Sequence, residues 1–275
     1  MQLPTVMIRV SLVVALVALV GCGGKKPVAK ASNQLLVLVP CGMEMPFDDL
    51  AKVFEQKNPG LDVRVELEVA QGLAKRITDL GQRPDVVVSP GGVELEPLIE
   101  QGFVKKDALA HLGIYDLMLF VPRPNKAKVT NMESLLQDSV KVVAVADPEK
   151  TSIGRFTKQA LVKKGLWDKL KDKIVITGSA SDTYAHVSRG KADASFAYRS
   201  CPLKTAPDKL QYSRVRILEE VPKSLYGPAY VTAAPLVDPP NPEKAKEFIA
   251  LLLSKEGQDM FRKYDLPAMD SKDAN

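Results

Sequence analysis

An α/β fold of mainly parallel sheets covered by helices is predicted from three observations. Short apolar runs of strand length alternate with segments of helical period, as at residues 35–39, 47–54, 63–67, 73–77 and 85–89. Gly, Pro, Asn and Asp stand at most of the changes of period, where turns are needed. The same alternation resumes at Val142 and runs to Tyr198, so the βαβ pattern occurs twice. In such folds the connections and the ligands gather at the carboxyl ends of the strands.

Taken in order, residues 1–21 carry one positive charge, Arg9, and then an apolar stretch over residues 10–20 in which Ser11 is the one polar residue. Spanning a bilayer takes roughly 20 apolar residues, so this stretch reads as an export signal rather than a membrane helix. It ends Leu19-Val20-Gly21-Cys22, which resembles the bacterial lipobox, where the signal is cut before a cysteine that is then lipidated. Residues 22–33 are polar, basic and small, and are expected to form a flexible tether. Without Arg9 the chain has 37 basic and 33 acidic side chains, and no basic run is interleaved with aromatics. That balance argues against a nucleic-acid partner.

In the body, residues 35–39 predict a strand and residues 40–46 a turn, with Pro46 suited to the first position of a helix. Phe47, Leu50, Ala51 and Phe54 mark one face of that helix, which Asn58-Pro59-Gly60 ends. Val63, Val65 and Leu67 alternate with charged residues, as in a strand with one polar face. A turn at 69–72 leads to a helix burying Leu73, Ile77 and Leu80. A short buried strand at 85–89 and a short helix at 94–101 complete the first unit. Strands follow at 117–121 and 142–146, with a short helix around Met132 and Leu135 between them. The second unit continues with a strand at 174–177, a helix capped by Ser181 or Asp182, and a strand at 194–198. Strands at 215–218 and 229–233, a helix from 242 with Leu253 inside, and a last helix at 257–264 close the body. Residues from Asp265 onward are expected to fray.

The junction at 142–170 is the most informative stretch. Residues 142–146 are an apolar strand, and from Phe156 the period is helical, with Phe156, Ala160 and Leu161 on one face. Pro148 ends the strand, and Thr151 or Ser152 can cap the helix. The first amides of that helix have no intrahelical acceptor and lie at the positive end of its dipole, an arrangement suited to an anion. Elsewhere His111 and His186 show no metal-ligand spacing. Gly91-Gly92 lacks the surroundings of a phosphate loop. No nucleophile elbow and no paired carboxylates are found, so no catalytic residue and no metal ligand is assigned.

Four segments, in their order and spacing, resemble the periplasmic molybdate-binding proteins of ABC importers, a branch of the type II solute-binding proteins. They are Asp147-Pro148-Glu149 with Gly154 beyond it; Lys158-Gln159-Ala160-Leu161 leading to Gly165-Leu166-Trp167; Gly190-Lys191-Ala192-Asp193-Ala194 running to Tyr198; and Ala250-Leu251-Leu252-Leu253-Ser254 through Phe261-Arg262-Lys263-Tyr264. The resemblance implies the type II periplasmic-binding-protein fold, with two three-layer αβα lobes joined by two crossover strands. Residues 34–113 with 231–275 would form lobe 1 and residues 114–230 lobe 2. It also implies a tetrahedral dianion, molybdate or tungstate, held between the lobes by backbone amides at helix starts, serine hydroxyls and one tyrosine. No cofactor is implied. The partners would be this small inorganic oxyanion and an ABC permease, with a monomeric, exported protein held to the membrane by a lipid at Cys22.

Carried over one position at a time, the family's first serine falls at Gly42, with Met43 next to it. The second falls at Ala70, with Gln71 beside it. The residue at the 142–170 junction falls at Ile153, the one before the following helix at Ala180 with Ser181 adjacent, and the tyrosine at Tyr198. Both serine hydroxyls are therefore absent from their positions. Cys41 and Cys201 follow strands expected to reach the cleft, one in each lobe. Buried free thiols, a disulfide and a soft-metal site all remain open for them. An alternative function follows from the last of these, a soft-metal or redox-sensing lipoprotein using Cys41, Met43, Met45 and Cys201 on the same scaffold.

Overall fold

Two five-stranded mixed sheets form the body of the protein in a computed structural model that describes residues 33–40, 42–199 and 214–269. Cys22, Cys41 and Cys201 lie outside the described residues. The first sheet contains β1 (Gln34–Pro40), β2 (Asp62–Glu68), β3 (Val86–Ser89), β4 (Ala110–Tyr115) and β10 (Ala229–Pro235), in the order β2-β1-β3-β10-β4. The second contains β5 (Leu117–Pro122), β6 (Val143–Ala146), β7 (Ile174–Thr177), β8 (Ala194–Tyr198) and β9 (Val215–Glu220), in the order β7-β6-β8-β5-β9. The two orders follow one plan. In each, three parallel strands are followed by one strand that runs antiparallel to both its neighbours. The sheets are thus mixed rather than mainly parallel, because β5 and β10, the strands that enter each sheet from the other lobe, run against the βαβ direction.

Seven α-helices accompany these sheets among the described residues: α1 (Glu44–Lys57), α2 (Ala70–Thr78), α3 (Glu96–Glu100), α4 (Ser152–Lys163), α5 (Ala180–Ser188), α6 (Pro242–Leu253) and α7 (Lys255–Lys263). Helices cover both faces of the first sheet, and β1 shows why. Leu35, Val37 and Val39 point into the main apolar core with Phe47, Phe54, Phe248 and Phe261, from α1, α6 and α7. Leu38, on the opposite face, joins a second cluster with Leu73 and Ile77 of α2 and Leu98 of α3. A strand with apolar residues on both faces needs cover on both, which makes three layers.

Several local expectations change. α1 begins at Glu44, so Pro46 is its third residue; its missing N–H still falls in the first turn, where no intrahelical acceptor is lost. α2 ends at Thr78, and Leu80, beyond it, is 77% exposed. Leu253, the last residue of α6, is also exposed. Periodicity does not mark β4 as a strand, although the resemblance puts a crossing between lobes near Gly113–Tyr115; it pairs antiparallel with β10 and lies at the sheet edge. The segment after Asp265 does not fray through Met269. Leu266 is buried, Met269 N donates to Gln258 Oε1 at 2.5 Å, and the Pro267 backbone lies so close to Gly113 that a Cβ there would stand 2.3 Å from it.

The chain passes from the first sheet to the second at Asp116, between β4 and β5, and returns between Glu220 and Ala229. Tyr115 and Tyr198 stack at this junction with ring centroids 4.2 Å apart and planes 6° from parallel. The Leu117 amide donates to the hydroxyl of Tyr226 at 3.0 Å, and burial pushes that phenol's pKa up, so it stays neutral.

Far from the junction, Asp49 ties α1 to the end of α7. It accepts from Tyr264 Oη at 2.6 Å and Lys263 Nζ at 3.1 Å, and these contacts, the tyrosine first, lower its pKa from 3.8 to about 2. A depressed carboxylate stabilises the fold above its unfolded pKa, and the contribution is lost as pH falls through the folded value. Asp49→Asn is therefore expected to flatten the change in urea midpoint between pH 3.8 and about 2. An unaltered acid limb in that variant would refute this role.

Candidate ligand cleft between the lobes

Each helix that follows a parallel strand starts at that strand's carboxyl edge. Here α1 and α2 follow β1 and β2 in one lobe, and α4 and α5 follow β6 and β7 in the other. All four starts meet at one pocket. α1 contributes Gly42 and Met43 from just before its start, α2 Val69, Ala70 and Gln71, α4 Thr151 and Ile153, and α5 Ser179, Ala180 and Ser181. Pro40, Pro90, Glu94, Tyr115 and Tyr198 complete the wall. The cavity is about 80 Å³, well below the roughly 300–1,000 Å³ typical of sites for drug-sized molecules. It has room for a small polyatomic ion.

No lysine, arginine or histidine is among the lining residues. The positive potential comes instead from helix ends. α1 and α2 have no side-chain cap, so no side chain competes for the first amides at their starts, although Met43 N, just before α1, is itself taken by the Pro40 carbonyl at 2.9 Å. α4 is capped by Thr151, whose Oγ1 accepts from Gly154 N at 3.0 Å, and α5 by Ser179, whose Oγ accepts from Asp182 N at 3.1 Å. Each cap satisfies the third amide of its helix and leaves Ile153 in α4, and Ala180 and Ser181 in α5, with no intrahelical acceptor. Ser179, rather than Ser181 or Asp182, caps α5 because its extended backbone puts the hydroxyl over the first turn. Gly154 must lack a side chain, since a Cβ there would stand 2.2 Å from the carbonyl oxygen of Ala146.

All eight residues carried over from the family resemblance, Gly42, Met43, Ala70, Gln71, Ile153, Ala180, Ser181 and Tyr198, line this one pocket. Of the soft-ligand set, Met43 lines it and is buried, whereas Met45 is 55% exposed and absent from the wall. Glu94, Thr151, Ser179, Tyr115 and Pro90 line it without having been singled out for the site. Thr151 was recognisable as a cap, but nothing in the local sequence marks Glu94.

Glu94 joins the lobes. It is 5% exposed and lies in a 3-10 turn at Val93–Leu95, in the first lobe, yet its carboxylate sits on the start of α4 in the second. Ser152 N donates to Glu94 Oε1 at 2.8 Å, and Ser152 Oγ donates to Oε2 at 2.6 Å. Ser89 Oγ also donates to Oε2, at 2.9 Å, and Val93 N donates to Ser152 Oγ at 3.1 Å. The anion position foreseen at α4 is thus partly filled from within the protein. Nearby, Arg155 pairs with both oxygens of Glu96 at 2.6 and 3.1 Å, and Gln71 Nε2 donates to the Gly178 carbonyl at 2.7 Å. Each of these bonds runs from one lobe to the other.

Residues 35–265 match the family described as bacterial extracellular solute-binding protein. The chain belongs to this family. Among its relatives, YvgL of Bacillus subtilis, named as an ABC transporter substrate-binding lipoprotein, is 24% identical over 95% of this chain and 97% of its own length. The molybdate-binding protein ModA of Haemophilus influenzae is 27% identical over 61% of this chain and 67% of its own. The solved periplasmic molybdate-binding protein of Azotobacter vinelandii superposes with a TM-score of 0.67 at 18% identity, covering 86% of this chain and all of that one. That likeness is one of fold, the type II periplasmic-binding-protein architecture of two α/β lobes. A solute-binding protein holds and releases its ligand without chemistry, so this protein is not an enzyme. Its family places it outside the cytoplasm.

Proposed function

We propose that the protein captures a small tetrahedral oxyanion in the interlobe cleft, with molybdate and tungstate the first candidates, and delivers it to the permease of an ABC importer. The observation that carries this reading is the convergence of four helix starts on a small cavity whose wall contains no cationic side chain. Fixed amide dipoles suit a desolvated anion, and the relatives named for molybdate and for ABC transport supply the candidates. The two hydroxyls absent at Gly42 and Ala70 leave amides at the same places, and Ser181 offers a hydroxyl from the opposite lobe. An anion touching α1 and α2 on one side and α4 and α5 on the other favours the closed arrangement by its differential affinity for it. The lipid anchor at Cys22 would keep the loaded protein near the permease, and a monomer suffices for this role.

Titration calorimetry with molybdate, tungstate, sulfate and phosphate tests the reading. Saturable heat and a raised unfolding temperature are expected with at least one of the four. Neither signal with any of them would end it.

A further inference from the structure

We infer that Arg155 and Glu96 form a latch that draws the lobes together without help from the solute, and so slows the solute's escape from the cleft. The inference goes beyond the oxyanion reading, because it holds for whatever solute the cleft takes. Arg155 is the fourth residue of α4, in the second lobe, and Glu96 opens α3, in the first. Their bond has two prongs, Nη1 to Oε1 at 2.6 Å and Nη2 to Oε2 at 3.1 Å. This is the geometry that makes arginine–carboxylate pairs strong and directional. Neither residue lines the pocket. The pair therefore acts on a ligand only through the position of the lobes.

The stability of α4 does not explain the placement. A cation near the start of a helix opposes the helix dipole, so Arg155 weakens α4 unless a carboxylate meets it. Glu149, in the same lobe, pairs with Lys158 at 3.4 Å, and the guanidinium reaches across to Glu96. That bond, and then the charges of Glu96, Glu149 and Glu94, hold the Arg155 pKa above its ordinary value.

Two further contacts cross the gap. Ser152 of α4 is held by Glu94, close to Glu96 in the chain, so the same stretches of the two lobes are joined twice. At another pair of helix starts, α2 and α5, Gln71 Nε2 donates to the Gly178 carbonyl at 2.7 Å. None of these bonds includes the solute, so each favours the closed arrangement before a solute arrives. A solute held from both sides binds that arrangement, and its affinity rises with the fraction of molecules already in it. Escape requires the lobes to part, so a broken latch shows chiefly as faster release.

The test compares wild type, Arg155→Gln, Glu96→Gln, the double variant, and the exchanged pair of Arg155→Glu with Glu96→Arg. Molybdate, tungstate, sulfate and phosphate are the probes, with rates read by stopped flow and lobe separation by small-angle scattering without ligand. Either single substitution is expected to raise the release rate by about two- to fivefold, as for a partly exposed ion pair of good geometry, with association changed less. The double variant should match the singles, because the two residues act as a unit. The exchanged pair should regain slow release, which a merely structural role would not give. Without ligand, the single variants should show a larger radius of gyration than wild type. The two singles alter different lobes, so a folding defect in one leaves the other to test. Singles that release and scatter as wild type does, or an exchanged pair no slower than the singles, overturn the inference. If none of the four anions binds, the oxyanion reading falls by itself, and scattering still decides the latch, with equal radii overturning it.

Discussion

Ala70→Pro is expected to weaken oxyanion binding while leaving α2 folded. Ala70 is the first residue of that helix, a position where proline costs little, because the amide it lacks has no intrahelical acceptor. The preceding residue, Val69, has φ −65° and ψ 140°, which a following proline tolerates. The substitution therefore deletes a single backbone donor from the pocket wall and puts a ring carbon in the place of its hydrogen. A hydrogen bond to a charged acceptor contributes about 1.5–3 kcal/mol, so the dissociation constant should rise by roughly 10- to 150-fold. Ala180→Pro makes the same test from the other lobe, since Ser179 before it is extended, with φ −153° and ψ 167°. Ala70→Gly, which keeps the amide, is the control and should bind nearly as wild type. Calorimetry reads the affinities, and circular dichroism reports whether α2 and α5 persist. Proline variants that bind like wild type would show that these helix starts do not hold the ligand.

The second large effect is expected from Gly91→Ala. The added Cβ would meet Ser152 Cβ at 2.2 Å and Ser152 Oγ at 2.4 Å, and would come within 3.0 Å of the Tyr198 hydroxyl. Gly91 belongs to the first lobe and both of its neighbours to the second, so the clash is relieved by parting the lobes rather than by disturbing either core. Overpacking of this kind costs about 1–3 kcal/mol, and here the cost falls on closure, so affinity should drop by roughly 5- to 150-fold. The urea midpoint should change little, and small-angle scattering in the presence of ligand should give a larger radius of gyration than for wild type. A variant that unfolds more readily while closing and binding normally would contradict this account.

Much of this molecule is legible from local sequence. The alternation of apolar strands with helical periods placed α1, α2, α4 and α5 within a few residues of where they lie. The turn residues before each helix marked the stretches that reach the pocket. The errors also have local causes. Leu80 fits the helical period of α2 by spacing alone, but the helix stops at Thr78. β4 has too weak an alternation to stand out, and β10 makes it a strand by pairing with it. The run after Asp265 is polar at its end, yet Leu266 and Pro267 have a surface to cover because Gly113 leaves β4 open there.

By itself the sequence determined that helix starts with unsatisfied amides would line the carboxyl edges of two sheets, because periodicity and turn chemistry act within a few residues. Which starts would face each other across the lobes was decided by tertiary structure, through the exchange of β5 and β10 between lobes and the stacking of Tyr115 on Tyr198. The same is true of Glu94. Its partner Ser152 is 58 residues away, and a carboxylate in a short acidic turn has no local property that distinguishes a solvated side chain from one buried on a distant helix.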